Sequence, residues 1–139
     1  MRIGDTATRS FTVTTADTAR ALGSGDLPVL GTPRLLAWCE AVTCVVLSEE
    51  AGGEGMAAGR TSVGTRILLQ HVAASPVGAG VQVGATVVHV DGRLVRLEVV
   101  AHQARPGQAD QLVAHGEVTR VLVDSARFMS RLDPPTSEG

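Results

Sequence analysis

The chain has 139 residues, the length of one domain and too short for a catalytic domain plus a separate cofactor domain. It is 44% hydrophobic but only 2% aromatic, with Phe11, Trp38 and Phe128 and no tyrosine, so valine, leucine and alanine have to fill the core. A net charge of −2, twelve arginines and no lysine exclude Schiff-base chemistry and argue against nucleic-acid binding, which needs a basic stripe and stacking platforms.

In chain order, residues 10–14 alternate and are rich in β-formers, so they read as a short strand. Residues 15–31 read as loop, punctuated by Gly23-Ser24-Gly25-Asp26 and Pro28. Thr32-Pro33 marks a helix start, with Thr32 as N-cap accepting a first-turn N–H and Pro33 at the first helical position. The helix is expected to run to Gly52-Gly53 and, being apolar almost all round, to be buried on most sides. Cys39 and Cys44, five apart within it, match neither a zinc ribbon nor a redox pair and read as small hydrophobes.

Glu40 is the only charged residue between Leu35 and Leu47. A carboxylate there needs a wet opening, a partner or a raised pKa, and each marks a candidate functional group. The plainer reading is a helix edge that touches solvent.

Period-two patterning then takes over, with strands expected over residues 62–74, 81–90, 93–103 and 112–123. Asp91-Gly92 is a two-residue hairpin signal that pairs Val90 with Arg93 and Val88 with Val95. One face then carries Val88, Val90, Val95, Leu97 and Val99. The other carries Val87, His89, Leu94, Arg96, Glu98 and His102. A polar loop spans residues 104–110, and residues 124–131 suit a short helix. One domain is expected over residues 1–132, followed by a flexible tail over residues 133–139.

Among single residues, His71 stands on a largely apolar strand face, where a satisfied core histidine is the common outcome. Gly64 inside a strand pattern suggests a bulge or a close backbone approach. Arg120, charged within the last strand, suits a phosphate or solvent. There is no HExxH or other close ligand pair, so no metal is expected. No apolar run is long enough for a membrane span, and neither a signal-peptide core nor a disulfide framework is present. A cytoplasmic protein is the expectation.

A strand, one long helix and four antiparallel strands imply an α+β fold. The outline is a hotdog, a five-stranded antiparallel sheet wrapped around one buried helix. A cone-shaped α+β barrel is the rival, although such barrels usually need more helices.

Thr32-Pro33 with Glu40, then Ser62-Val63-Gly64-Thr65 with His71, then Ser75-Pro76-Val77-Gly78 and Gly116-x-x-x-Arg120 form a combination that is more specific than any of its parts. Together they resemble the fluoroacetyl-CoA thioesterase family of hotdog proteins, from about Phe11 to Leu132. The resemblance implies hydrolysis of a small or medium acyl-CoA thioester, with Thr32, Glu40 and His71 as the catalytic set. Glu40 would act as nucleophile or as base for a water, and Gly64 and Arg120 would contact the substrate. It implies no cofactor, CoA being part of the substrate. It also implies a homodimer with its active site at the seam, further pairing into a tetramer being left open.

The resemblance departs at two places. The fluoroacetate-specific member carries lid phenylalanines before the helix, whereas Ala21–Leu30 has no aromatic residue, so fluoroacetyl selectivity is not expected. Val118 stands where the family often has a histidine. The alternative function is a non-catalytic acyl-CoA or acyl-carrier-binding module, since fold does not dictate function. A hotdog hydratase would carry a longer Asp-and-His motif that this chain lacks.

Overall fold

Valines recur at alternate positions through the second half of the chain, and their branched side chains suit a pleated, half-buried surface. In the computed structural model, which describes residues 1–48 and 59–135, this pattern builds three long strands. They are β3 (Gly80–Asp91), β4 (Leu94–Arg105) and β5 (Gln108–Asp124). The short strand β1 (Thr6–Thr12) and the strand β2 (Arg60–His71) form the two edges of one antiparallel sheet in the order β1-β3-β4-β5-β2. The one-turn helix α1 (Ala19–Leu22) and the long helix α2 (Thr32–Leu47) precede β2, and α3 (Ser125–Ser130) follows β5. Helix α2 lies across one face of the sheet, chiefly on β3 and β1. This is the α+β hotdog arrangement.

The core is aliphatic, as the composition requires. Val81, Val83, Val87, Val95 and Leu97 point from the sheet at Leu35, Val42 and Val46 of α2, all essentially inaccessible to solvent. Each contributes about 1.5–3 kcal/mol by leaving water. Phe11 of β1 stacks on Trp38 of α2 with ring centroids 4.7 Å apart and planes 8° from parallel. Such a pair adds roughly 0.5–1.5 kcal/mol beyond its buried area and pins the helix to the edge strand.

Several local expectations are corrected. Strand β1 starts at Thr6 rather than residue 10, because Thr6–Thr12 finds partners along Gly80–Thr86. The segment 15–31 contains a 3-10 turn at Thr15–Asp17 and α1. The expected loop 104–110 is a tight turn at Pro106-Gly107, where Gly107 takes φ 68° and lets β4 and β5 run on to either side.

Helix α2 ends at Leu47, and the N–H and hydroxyl of Ser48 both donate to the Val45 carbonyl. The expected stop at Gly52-Gly53 lies outside the described residues. Nor is the helix buried on most sides within the chain. Ala37, Ala41 and Cys44 are exposed, so only Cys39 behaves as a core hydrophobe.

The β3–β4 hairpin is offset from its expected register. Gly92-Arg93 forms the loop, so Asp91 pairs with Leu94 and Val90 with Val95. A bulge between Val87 and His89 leaves Val88 as the extra residue and reverses the alternation. Val87 is therefore buried and Val88 is not, the reverse of the expectation, whereas Val95, Leu97 and Val99 face the core as expected. No helix among the described residues is long and apolar enough to cross a membrane.

Candidate active site

The start of α2 sets the first group. Gly31, not Thr32, is the N-cap, and its carbonyl accepts the N–H groups of Arg34 and Leu35. Thr32 is thus the first helical residue and Pro33 the second. The Thr32 hydroxyl is free of capping, and its Oγ1 lies 2.7 Å from Nδ1 of His71 at the end of β2. A neutral imidazole has one donor and one acceptor nitrogen, and the hydroxyl can donate to Nδ1 or accept from it according to the tautomer. His71 Nε2 is enclosed and makes no well-formed hydrogen bond. Burial pushes the imidazole below the ordinary histidine value, partly offset by the nearby Ala73 backbone. The pair borders a hollow of about 310 Å³ walled by Ala19, Val29, Leu30 and Val72, with Ser24 beside them.

A second group forms two turns further along α2. Glu40 is about a third exposed (34%), and its Oε2 lies 3.5 Å from Nη1 of Arg120. It therefore has both a wet side and a partner. Arg120 is only 7% exposed. Burying a guanidinium is costly unless its donors are met. Ser62 meets them twice: Arg120 Nε donates to Ser62 Oγ at 2.8 Å, and Nη2 donates to the Ser62 carbonyl at 3.1 Å. The plane of the guanidinium is thereby fixed, with Nη1 aimed at Glu40.

Gly64 completes this group. A Cβ there would sit 2.8 Å from Glu40 Oε2, so the absent side chain is what lets the carboxylate lie against β2. Gly64 and His71 are seven residues apart and would face opposite ways in an unbroken strand. A bulge between Gly64 and Arg66 leaves Thr65 unpaired and shifts the phase, so both turn toward α2.

The sequence candidates thus fall into two clusters, Thr32–His71 and Glu40–Gly64–Arg120. Thr32 and Glu40 are eight positions apart, about 12 Å of helix rise, and half-buried Leu36 stands midway. Ser62 belongs to the Ser62-Val63-Gly64-Thr65 motif, but nothing local in the sequence marks it as a partner of Arg120. Its signal was alternation, which places it on the same strand face as Gly64 and across from β5 near Arg120. Val118 lies fully buried in the core.

Burial, with a further push from Glu40, raises the Cys39 thiol to about 12, which removes it as a nucleophile. Among the described residues no group of three His, Cys, Asp or Glu side chains is placed to hold a metal ion. A hollow of about 760 Å³ lies on the other side of the sheet between residues such as Thr8, Gly84 and Gly116, and touches neither cluster.

Residues 13–126 match the family described as fluoroacetyl-CoA-specific thioesterase, FlK. The solved structure of the fluoroacetyl-CoA thioesterase FlK is 26% identical, with a TM-score of 0.82 over 97% of this chain and 98% of that one. A point mutant of FlK in complex with fluoroacetate and CoA is also 26% identical, with a TM-score of 0.79 over 92% of this chain and 99% of that one. A hot-dog-like protein from Thermanaerovibrio acidaminovorans, 24% identical, superposes with a TM-score of 0.78 over 96% and 94% of the two chains, which bears on the fold alone. The chain matches no curated protein.

Proposed function

Because this chain belongs to the fluoroacetyl-CoA-specific thioesterase family, we propose that it hydrolyses a small or medium acyl-CoA thioester to the free acid and CoA. The observation that carries the reading is the Thr32 hydroxyl, released from capping and bonded to His71. Glu40 delivers the attacking oxygen, either its own or that of a water it deprotonates. The carbonyl carbon gains that oxygen, the C–S bond breaks, and the departing thiolate takes through His71 a proton that comes from water; where Glu40 itself attacks, a water then hydrolyses the mixed anhydride, supplies that proton, releases the acid and restores the carboxylate. Thr32 orients His71 and, with its own backbone N–H at the start of α2, stabilises the developing oxyanion. Arg120 holds Glu40 in place, and Gly64 leaves room for the thioester beside it. The chemistry uses these side chains and water only.

The acyl group we propose is aliphatic rather than fluoroacetyl. The hollow beside Thr32 and His71 is walled by alanine, valine and leucine, and residues 21–30 hold no aromatic lid. We assign the working unit as a homodimer in the cytoplasm, where Cys39 and Cys44 stay reduced. Strand β2 is a sheet edge with unpaired backbone groups. Antiparallel pairing of two β2 strands about a two-fold axis near Ile67 and Leu68 brings Gly64 and Glu40 of one chain toward the partner's His71 and Thr32. The seam then unites two clusters that one chain keeps apart.

The test is a thiol-release assay across a panel of acyl-CoA thioesters. Glu40→Ala and His71→Ala are each expected to lower kcat by about a hundredfold or more. If both variants keep wild-type turnover, the catalytic assignment is wrong. If no acyl chain is turned over while a non-hydrolysable analogue still binds, the protein is a binding module instead.

A further inference from the structure

The nucleotide end of CoA needs a place to sit, and one corner of the molecule has the matching chemistry. Where β2 begins and β5 ends, Arg60, Arg93 and Arg127 line a hollow of about 390 Å³ together with Asp124. Arg93 and Arg127 also border a smaller recess shared with Phe128 and Arg131.

Separate elements deliver these groups, and the register explains why they meet. Arg60 opens β2 directly across from Asp124. Arg93 lies in the β3–β4 turn, whose carbonyl accepts the Leu122 N–H and holds the turn against β5. Arg127 comes from α3 and Arg131 from the residue that ends it.

The charge is unbalanced. Asp124 Oδ1 caps α3 by accepting the Arg127 backbone N–H at 2.9 Å. Among the described residues none of the four guanidinium groups forms an ion pair. Among the described residues, four cations therefore gather around one carboxylate in a chain of net charge −2. Like charges held together are unfavourable until an anion joins them, and the guanidinium fork matches phosphate oxygens in pairs.

The aromatic residue adds an independent observation. Of three aromatic side chains, Phe11 and Trp38 cover each other, and the third, Phe128, is 40% exposed beside the arginines. An exposed ring next to guanidinium groups is a stacking surface for a nucleobase.

We propose that this corner binds the phosphorylated adenosine end of CoA, with Arg60, Arg93 and Arg127 on the phosphates and Phe128 against the adenine. The inference rests on the acyl-CoA reading above. The span is suitable: Arg60 is four residues from Gly64, about 13 Å along the strand, and an extended pantetheine arm is longer than that.

The experiment is calorimetric binding of free CoA and of adenosine 3′,5′-bisphosphate to the full chain, with no hydrolysis required. The combined Arg60→Ala, Arg93→Ala and Arg127→Ala variant is expected to weaken both ligands at least about tenfold. Phe128→Ala is expected to weaken the bisphosphate. Turnover of an acyl-pantetheine thioester, which lacks the nucleotide, stays at the wild-type level in all variants. These positions are exposed, and an unchanged thermal midpoint verifies that each variant is folded. Wild-type CoA affinity in the triple variant overturns the proposal, even where acyl-CoA turnover is normal. Binding that depends on the arginines without hydrolysis of any acyl-CoA upholds it and removes the thioesterase reading alone.

Discussion

At the residue scale, the candidate triad was legible but the job of one member was not. Thr-Pro reads as a cap because capping is what a threonine before proline usually does. Gly31 takes that role, and a hydroxyl with two possible partners cannot be assigned from local sequence. Ser62 was silent for a similar reason: a serine in a strand shows nothing of an arginine 58 residues away until the register is known. His71 carries a pH prediction. Burial lowers its pKa from 6.5, so between the folded and unfolded values the unfolded chain binds more protons. Stability therefore rises with pH in that window and is lost as pH falls from 6.5 through the folded pKa. Denaturant unfolding across this range should show that slope in the wild type and a flatter one in His71→Asn. An equal slope in the variant removes His71 as its source.

At the element scale, every strand was visible in the alternation and α2 in its Thr-Pro start, whereas α1 falls in a segment that reads as loop. What the pattern hid was phase. A bulge costs no change in composition, yet each one reverses which residues face the core. The bulge near Val88 reversed two assignments, and the bulge at Thr65 turned toward α2 both Gly64 and His71, which simple alternation separates. Among the described glycines, Gly116 has the least room for a side chain. A Cβ there would collide with the Leu68 carbonyl oxygen of β2. The collision is with backbone and cannot be relieved by rotating a side chain. Gly116→Ala should therefore destabilise the fold by about 1–3 kcal/mol or more, read as a lowered thermal midpoint. An unchanged midpoint would mean that β2 shifts freely against β5.

At the scale of the whole molecule, the two clusters on α2 set a test of the proposed assembly. If each site joins Thr32 and His71 of one chain with Glu40 of the other, mixing inactive Glu40→Ala and inactive His71→Ala subunits creates one intact site per mixed dimer. Activity should return on mixing after subunit exchange. No recovery, with mixed dimers present by mass measurement, would place the whole site within one chain. Composition pointed toward this division, since a 139-residue chain with few large side chains has little material for an enclosing wall. The same scarcity leaves Trp38 as the sole tryptophan in a protein without tyrosine, stacked at 4.7 Å on Phe11. Near-ultraviolet emission from this protein accordingly has one source, seated on the helix that carries Thr32 and Glu40. A change in its colour or intensity when a ligand arrives reports directly how that helix rides on the first strand, with no label attached.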